Sequence, residues 1–501
     1  MAQKRRKNKF ELYPDEKTGL SKGVLSLIFF AVLWVLLNAA AVMYIRLTKD
    51  IYFGNAALSW SMANDIAAGK YGGGFWGKVY ASISDCEYNL VAGLPSALFA
   101  RLFGPSRLSY VLSLVNLYAL PSLIVIYRMA KKVGKGEYFS TVAVLLAFPI
   151  ISYAAFIGHV ELGAMLMALI CVYLYLSLNG SSVDILRLMG IGVLFVLMML
   201  WRGYFVFFAV AFITAMVADC ILFRRSIIDL LLPLFTAAAL IALCFRDFAI
   251  NRIAADYVSK YSSYSFQILP NLKMTARYFG LLPILALAAG SIYAAIKHRE
   301  RRTLFLWIEL LVCHVMFSAT QIHGQQQLLM YVPALAALMV LLLRYVNKLW
   351  VLGAVCALSV LCSVNVHIPY KPINGIDDIK MAALIPDFSM RPIQRADADT
   401  VLEIKKRLDS VVEDGKNVGV MANSGVLNLE LMRNAELSLG VKSERADYFA
   451  QVPLSRGEDA LPLYNVNYML IAFPAQSGGS AFVDEIVAMF ENGTALIAQG
   501  D

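Results

Sequence analysis

The chain has 501 residues, 59% of them apolar and 16% charged, and its mean hydropathy is +0.64. Soluble domains run at about 45–50% apolar and about 25% charged, so this excess cannot be hidden in one soluble core. An ordinary soluble enzyme, a disordered chain and a small disulfide scaffold are excluded, which leaves a polytopic helical membrane protein. The net charge of +9 does not point to nucleic acid, because the basic residues fall in short gaps between apolar runs. They cluster at Lys4–Lys9, Lys131, Lys132 and Lys135, Arg224 and Arg225, Lys297, Arg299, Arg301 and Arg302. Such clusters beside spans set membrane orientation.

In chain order, apolar runs able to cross about 30 Å of hydrocarbon fall at 23–45, 108–128, 138–157, 160–178, 185–201 and 203–223. Others follow at 227–245, 278–296, 303–320, 327–343 and 349–365. That predicts about eleven spans. The first is longer than the apolar core of a signal peptide, so it reads as an uncleaved span. With residues 1–22 cytoplasmic, the basic clusters fall inside and three long segments fall outside. Segment 46–107 mixes amphipathic pieces around Gly72-Gly73-Gly74 and suits helices lying at the interface. Segment 246–277 carries Tyr257, Tyr261 and Tyr264. The third begins after residue 366, so the bundle is read as 23–366 and a soluble extracytoplasmic α/β unit as 367–501.

In that last unit, helical periodicity at 397–412 leads to a strand at 418–421, a helix at 425–434, a strand at 468–473 and a helix at 480–490. It has no Gly-rich phosphate loop and no metal-ligand spacing. Six of the seven cysteines lie in apolar runs, Cys86 alone in a polar loop, and no zinc or disulfide pattern is readable.

Ionisable groups at membrane depth are costly and mark function. On the expected outer side these are Asp50, beside Lys49; Asp85, Glu87 and Tyr88; His159 and Glu161; Arg202; and His323 with Gln325–Gln327 ahead of Tyr331. Singly, each has a bland reading as a capping, loop or snorkelling residue. Together they fit sugar transfer from a lipid phosphate. Asp50 suits a base that takes the acceptor proton, and Arg202 or Lys49 suits the phosphate. Glu87 with His159 and Glu161 are the residue types that hold a divalent ion. His323, Gln326 and Tyr331 would line the substrate.

The order of these features resembles the GT-C superfamily of membrane glycosyltransferases. It is closest to the bacterial dolichyl-phosphate-mannose-protein mannosyltransferase type, which includes the aminoarabinose transferase of lipid A. The resemblance rests on the span 23–45, Asp50 and the segment 51–105, with Glu87-Tyr88-Asn89-Leu90, Gly93-Leu94-Pro95 and Leu102-Phe103-Gly104-Pro105. It continues in His159-Val160-Glu161-Leu162, Arg202-Gly203 and the approach Gln326–Pro333. The family's opening acidic pair is Asp50-Ile51 here, and glutamines stand where an arginine is common. No histidine of 246–277 answers the family's late metal ligand.

The resemblance implies an inverting transfer from a polyprenyl-phosphate sugar to an extracytoplasmic glycan, lipid or protein, in a multi-pass protein of the plasma membrane. It implies Asp50 as base, with Glu87 and Glu161 assisting through a metal or through hydrogen bonds. It also implies Lys49, Tyr88, His159, Arg202, His323, Gln326 and Tyr331 around the substrates. One rival, a transporter or flippase of lipid-linked saccharides, would use the same residues; another, an assembly protein whose bundle anchors the tail, would keep its function in the tail alone. No repeated halves favour the transporter.

Overall fold

The computed structural model describes residues 22–492, apart from 53, 86–88, 135, 180–182, 255–267, 321–322, 368–383, 442–446, 451, 453–465 and 478–479. Helix α1 (Lys22–Leu47) is apolar on all sides and buries only Leu33, Leu37, Ala41 and Tyr44, so most of its surface is left for lipid. Its buried stripe meets α5 (Arg107–Val133) through polar side chains as well as apolar ones. Asn116 Nδ2 donates to Asn38 Oδ1 at 2.7 Å, and Ser26 Oγ lies 2.7 Å from Tyr127 Oη. Small polar groups of this kind join helices where lipid supplies no hydrophobic drive.

Between α1 and α5 come α2 (Asn55–Ala67), α3 (Phe75–Asp85) and α4 (Leu94–Phe103). The expected interfacial segment is therefore helical, with Gly104 turning the chain at φ 88°. The run 138–157 is two helices, α6 (Glu137–Ala147) and α7 (Ile150–Ile157), bent by 61° where Pro149 cannot donate to the helix ladder. Then follow α8 (Leu162–Leu176), α9 (Val183–Trp201), α10 (Val206–Phe223), α11 (Ile227–Cys244) and α12 (Arg246–Ala254). Gly192 lets α11 approach α9, since a Cβ there would lie 2.4 Å from the Pro233 carbonyl oxygen.

The bundle closes with α13 (Ile268–Phe279), α14 (Leu281–His298), α15 (Arg302–Ser318), α16 (Val332–Leu343) and α17 (Leu349–His367). Helix α16 is buried at every position but Leu342 and forms the centre of the bundle. Among the described residues, seven helices are long and apolar enough to cross a membrane, or eight if the bent pair is one span. The eleven runs read from the sequence are all helical, but α8 and α16 are short because turns take up their ends. Residues 327–330, for example, form a 3₁₀ turn.

The basic turns share one end of the bundle. The Arg301 guanidinium lies 4.9 Å from the Phe223 ring centre, and Arg344 Nη1 donates to the Val133 carbonyl at 3.4 Å. At the other end, residues 384–390 cover the helix tips: Leu282 N donates to Leu384 O at 2.8 Å, and Phe388 stacks on Tyr278 at 4.8 Å.

Beyond them lies an α/β unit. Strands β1 (Val418–Met421), β2 (Phe449–Ala450) and β3 (Tyr468–Ile471) are parallel in the order β2-β1-β3. Helices α18 (Ala398–Val411) and α19 (Leu429–Ser438) cover Val418 and Val420 on one face, and α20 (Ala481–Glu491) covers Met421 on the other. That covering on both faces explains why β1 is buried throughout. The predicted helix 425–434 starts later, because Asn428 caps it by accepting from Leu431 N at 2.8 Å. The two-residue β2 gave no sequence signal.

Candidate active site

The site is built around a short extended strap that follows α1. Thr48 Oγ1 closes the last turn of α1 on Tyr44 O at 2.7 Å, and residues 49–52 then run straight. Neighbouring side chains of an extended segment point to opposite sides, and the strap uses both. Ile51 is wholly buried in the α/β unit with Val401, Val418 and Leu431. Asp50 and Tyr52 turn instead toward the bundle. The strap is pinned by its backbone: Lys49 N donates to Ile393 O and Arg395 N to Lys49 O, both at 2.9 Å. Tyr52 N donates to Ser438 Oγ and Asn434 Nδ2 to Tyr52 O, both at 3.1 Å. Glu430 accepts from Gly54 N.

Facing Asp50 is Arg107, which the sequence reading passed over. It opens α5 behind a Ser106–Ser109 capping box and is buried. Its Nη1 donates to the Asp50 carbonyl oxygen at 3.0 Å, and its Nη2 lies 3.8 Å from Asp50 Oδ2. The guanidinium carbon sits 4.3 Å from the Tyr52 ring centre, within cation–π range. Burial raises the Asp50 carboxyl above its ordinary value, while Arg107, the Ile51 amide and Arg395 pull it back. The sequence signal for Arg107 was a lone arginine opening an apolar run just after Gly104-Pro105.

The wall behind comes from two turns, 158–161 and the one at Arg202. Gly158, at φ 102°, lies so close to Tyr52 that a Cβ would stand 2.8 Å from the Tyr52 hydroxyl. Its carbonyl accepts from Tyr110 Oη at 3.0 Å. Glu161 and Arg202 were expected to act separately, one toward a metal or acceptor and the other toward phosphate. They form a buried ion pair instead, Nε to Oε1 at 2.8 Å, and Arg202 Nη2 also donates to Ser59 Oγ at 2.8 Å. His159 is buried beside them, and burial holds its imidazole below the ordinary value against the pull of Glu161.

Buried polar atoms without hydrogen-bond partners collect here: Tyr52 Oη, Trp60 Nε1, and Arg107 Nε and Nη2. Each is a buried donor without a hydrogen-bond acceptor among protein atoms, which is what an anionic or hydroxyl-rich ligand could supply.

Other predicted residues separate from this group or lie outside view. Glu87 and Tyr88 fall outside the described residues, as does the side chain of Asp85. Lys49 joins through its backbone, and its side chain is exposed. His323 lies in a second buried cluster: its Nε2 is 2.6 Å from Tyr331 Oη, its ring stacks on Phe317 at 4.7 Å, and its N–H donates to Asn271 Oδ1 at 2.7 Å. Burial and the nearby His314 push His323 down to about 3. Gln326 is half-buried in the same turn, and its neighbour Gln325 reaches the layer of His159, Tyr153 and Tyr278. A further buried carboxylate, Glu309 in α15, has no hydrogen-bond partner for either oxygen. Among the described residues, no three His, Cys, Asp or Glu side chains converge as a metal site requires. Of the two expected ligands of a divalent ion, Glu161 is paired with Arg202 and Glu87 lies outside the described residues.

No known family model matches the chain, and no curated protein matches it. Two solved structures share its fold. ArnT from Cupriavidus metallidurans in the apo state aligns with a TM-score of 0.59 at 12% identity, over 94% of this chain and 92% of that one. The same protein bound to undecaprenyl phosphate aligns with a TM-score of 0.58 at 13% identity, over 95% and 92%. The likeness read from the sequence, over about residues 23–345, thus holds at the level of the fold.

Proposed function

We propose that this multi-pass membrane protein is a glycosyltransferase that moves a sugar from a polyprenyl-phosphate-linked donor to an extracytoplasmic acceptor. The observation that carries this reading is Asp50 set against Arg107, whose buried Nε and Nη2 lack hydrogen-bond partners. It is supported by a fold shared with a protein that binds undecaprenyl phosphate. The basic turns at the opposite end support a cytoplasmic amino terminus, with this site on the outer side.

In the reaction, an acceptor hydroxyl oxygen attacks the anomeric carbon as Asp50 takes its proton. The bond from that carbon to the phosphate oxygen breaks on the opposite face, so configuration inverts. Polyprenyl phosphate leaves with the bonding electrons, and Arg107 receives the charge that develops on it. A guanidinium suits that task because its N–H groups match phosphate oxygens. Arg202 is neutralised by Glu161 and serves as a wall that fixes the 158–161 turn. No step is assigned to a metal. The acceptor is a glycan, lipid or protein, and the sugar a hexose or pentose.

The test is Asp50→Asn in purified protein given labelled polyprenyl-phosphate sugars and candidate acceptors. Loss of transfer with donor binding retained supports the base assignment, and normal transfer overturns it. Flipping of the lipid-linked saccharide without transfer by the wild type would favour the transporter.

A further inference from the structure

A cavity of about 750 Å³ that includes none of the residues around Asp50 opens between α14, α16, α17 and the end of α6. That size falls within the range of small-molecule sites, about 300–1,000 Å³. Its walls are apolar, with Leu287, Gly290, Leu342, Val351 and Val355 among them. Its rim is not. Lys297 and Lys348 line it at the basic end of the bundle, both exposed, beside Tyr293 and Trp350. The ammonium of Lys297 sits 5.2 Å from the Tyr293 ring centre and that of Lys348 5.9 Å from Trp350.

Two features decide what this cavity takes. No Asp or Glu lines it, and among the described residues neither lysine makes an ion pair. The nearby Glu300 is spent on Arg302, at 2.6 Å, and on the Tyr345 hydroxyl. Two uncompensated cations over an apolar shaft, flanked by an exposed Trp and Tyr, form the charge and polarity profile of a lipid with an anionic headgroup. The lysines also lie a helix length from the Asp50 end. Helix α14 starts at Leu281, beside residue 384, and its 18 residues span about 27 Å. A lipid whose phosphate rests on Lys297 and Lys348 is therefore not the sugar donor.

We infer that this cavity binds one anionic glycerophospholipid, its phosphate held by Lys297 and Lys348 and its acyl chains wedged between α17 and the α14–α16 pair. The inference does not depend on the transfer reaction proposed above. Because α17 leads into the α/β unit, the lipid would brace the helix that carries that unit.

Native mass spectrometry of the full chain, titrated separately with phosphatidylglycerol, phosphatidylcholine and undecaprenyl phosphate, tests it. The expected result is a single retained phosphatidylglycerol, preferred over phosphatidylcholine by roughly tenfold or more, since each lysine adds a severalfold attraction to an anionic lipid. Lys297→Gln with Lys348→Gln should abolish the preference. Gly290→Leu, which crowds Leu342 and fills the shaft, should exclude both phospholipids. If that variant does not fold, the lysine pair decides alone. Equal binding of the two phospholipids, or a preference that survives loss of both lysines, overturns the inference. So does one-for-one displacement of phosphatidylglycerol by undecaprenyl phosphate, which would assign the cavity to the donor's chain.

Discussion

Arg202 holds Glu161 at 2.8 Å with both side chains almost wholly out of solvent, so two distant turns share one buried ion pair. Removing one partner strands the other charge, at a cost of about 3–5 kcal/mol. Glu161→Ala and Arg202→Ala should each lower the melting temperature of the detergent-solubilised protein sharply. The double variant Glu161→Leu, Arg202→Met should recover much of that loss, because an apolar pair of similar volume avoids the stranded charge. A double variant that melts as low as the singles would show that Ser59 or the turn geometry matters more.

The raised Asp50 carboxyl gives a signed pH prediction. Folded Asp50 holds its proton more tightly than the unfolded chain does, so its stabilising contribution is complete below the ordinary value near 3.8 and fades as pH rises through the higher folded one. At neutral pH the buried carboxylate is thus a net burden on stability. Asp50→Asn should melt at a higher temperature than wild type at pH 7 while losing transfer. Transfer by the wild type should fail on the acid side at a pH above the usual aspartate range. Arg107→Leu should move that limb further up, as it removes the cation that opposes burial.

His323 acts in the opposite sense. Held near 3, it is neutral when folded, so its contribution is complete above about 6.5 and drains away as pH falls toward that low value. Melting temperature should decline between pH 6.5 and 4, and His323→Gln should flatten the decline. A pH–rate profile should show no limb between pH 6 and 8 that His323→Gln removes.

Gly158 couples an unusual backbone to a crowded site, at φ 102° with Tyr52 and Tyr110 against it. Gly158→Ala should cost about 1–3 kcal/mol and depress transfer more than it depresses folding, by pushing Tyr52 off Arg107. Measured kcat and melting temperature separate the two effects.

What the sequence disclosed follows a physical line. The apolar runs, the strand at 418–421 and the start of the strand expected at 468–473, which ends at Ile471, are local patterns and lie where periodicity put them. Asp50 was visible because a carboxylate just past a span is costly. Arg107 was hidden, because one arginine at the mouth of a span looks like any snorkelling side chain. Pairing was hidden too: nothing local tells Glu161 that Arg202 is its partner, or Lys49 that residues 393–395 will lie alongside it. The bend at Pro149 was in the sequence, but the 61° turn that sets the 158–161 wall needed packing to be seen.

Ile51 offers a further test, since it touches the α/β core and not the pocket. Ile51→Ala should cost about 2–5 kcal/mol and Ile51→Val about 0.5–1.5 kcal/mol. Transfer should fall with the alanine variant and return with valine, read as kcat at saturating donor.

That strap also has a bearing on how the protein is made. Its partners, residues 393–395, Glu430, Asn434 and Ser438, emerge from the ribosome hundreds of residues after Asp50. Until α17 has been inserted and the α/β unit has folded on the same side as the strap, Asp50 has no fixed orientation toward Arg107. A chain stopped before residue 393 therefore carries Asp50, Tyr52 and Arg107 but none of the hydrogen bonds that pin the strap between them.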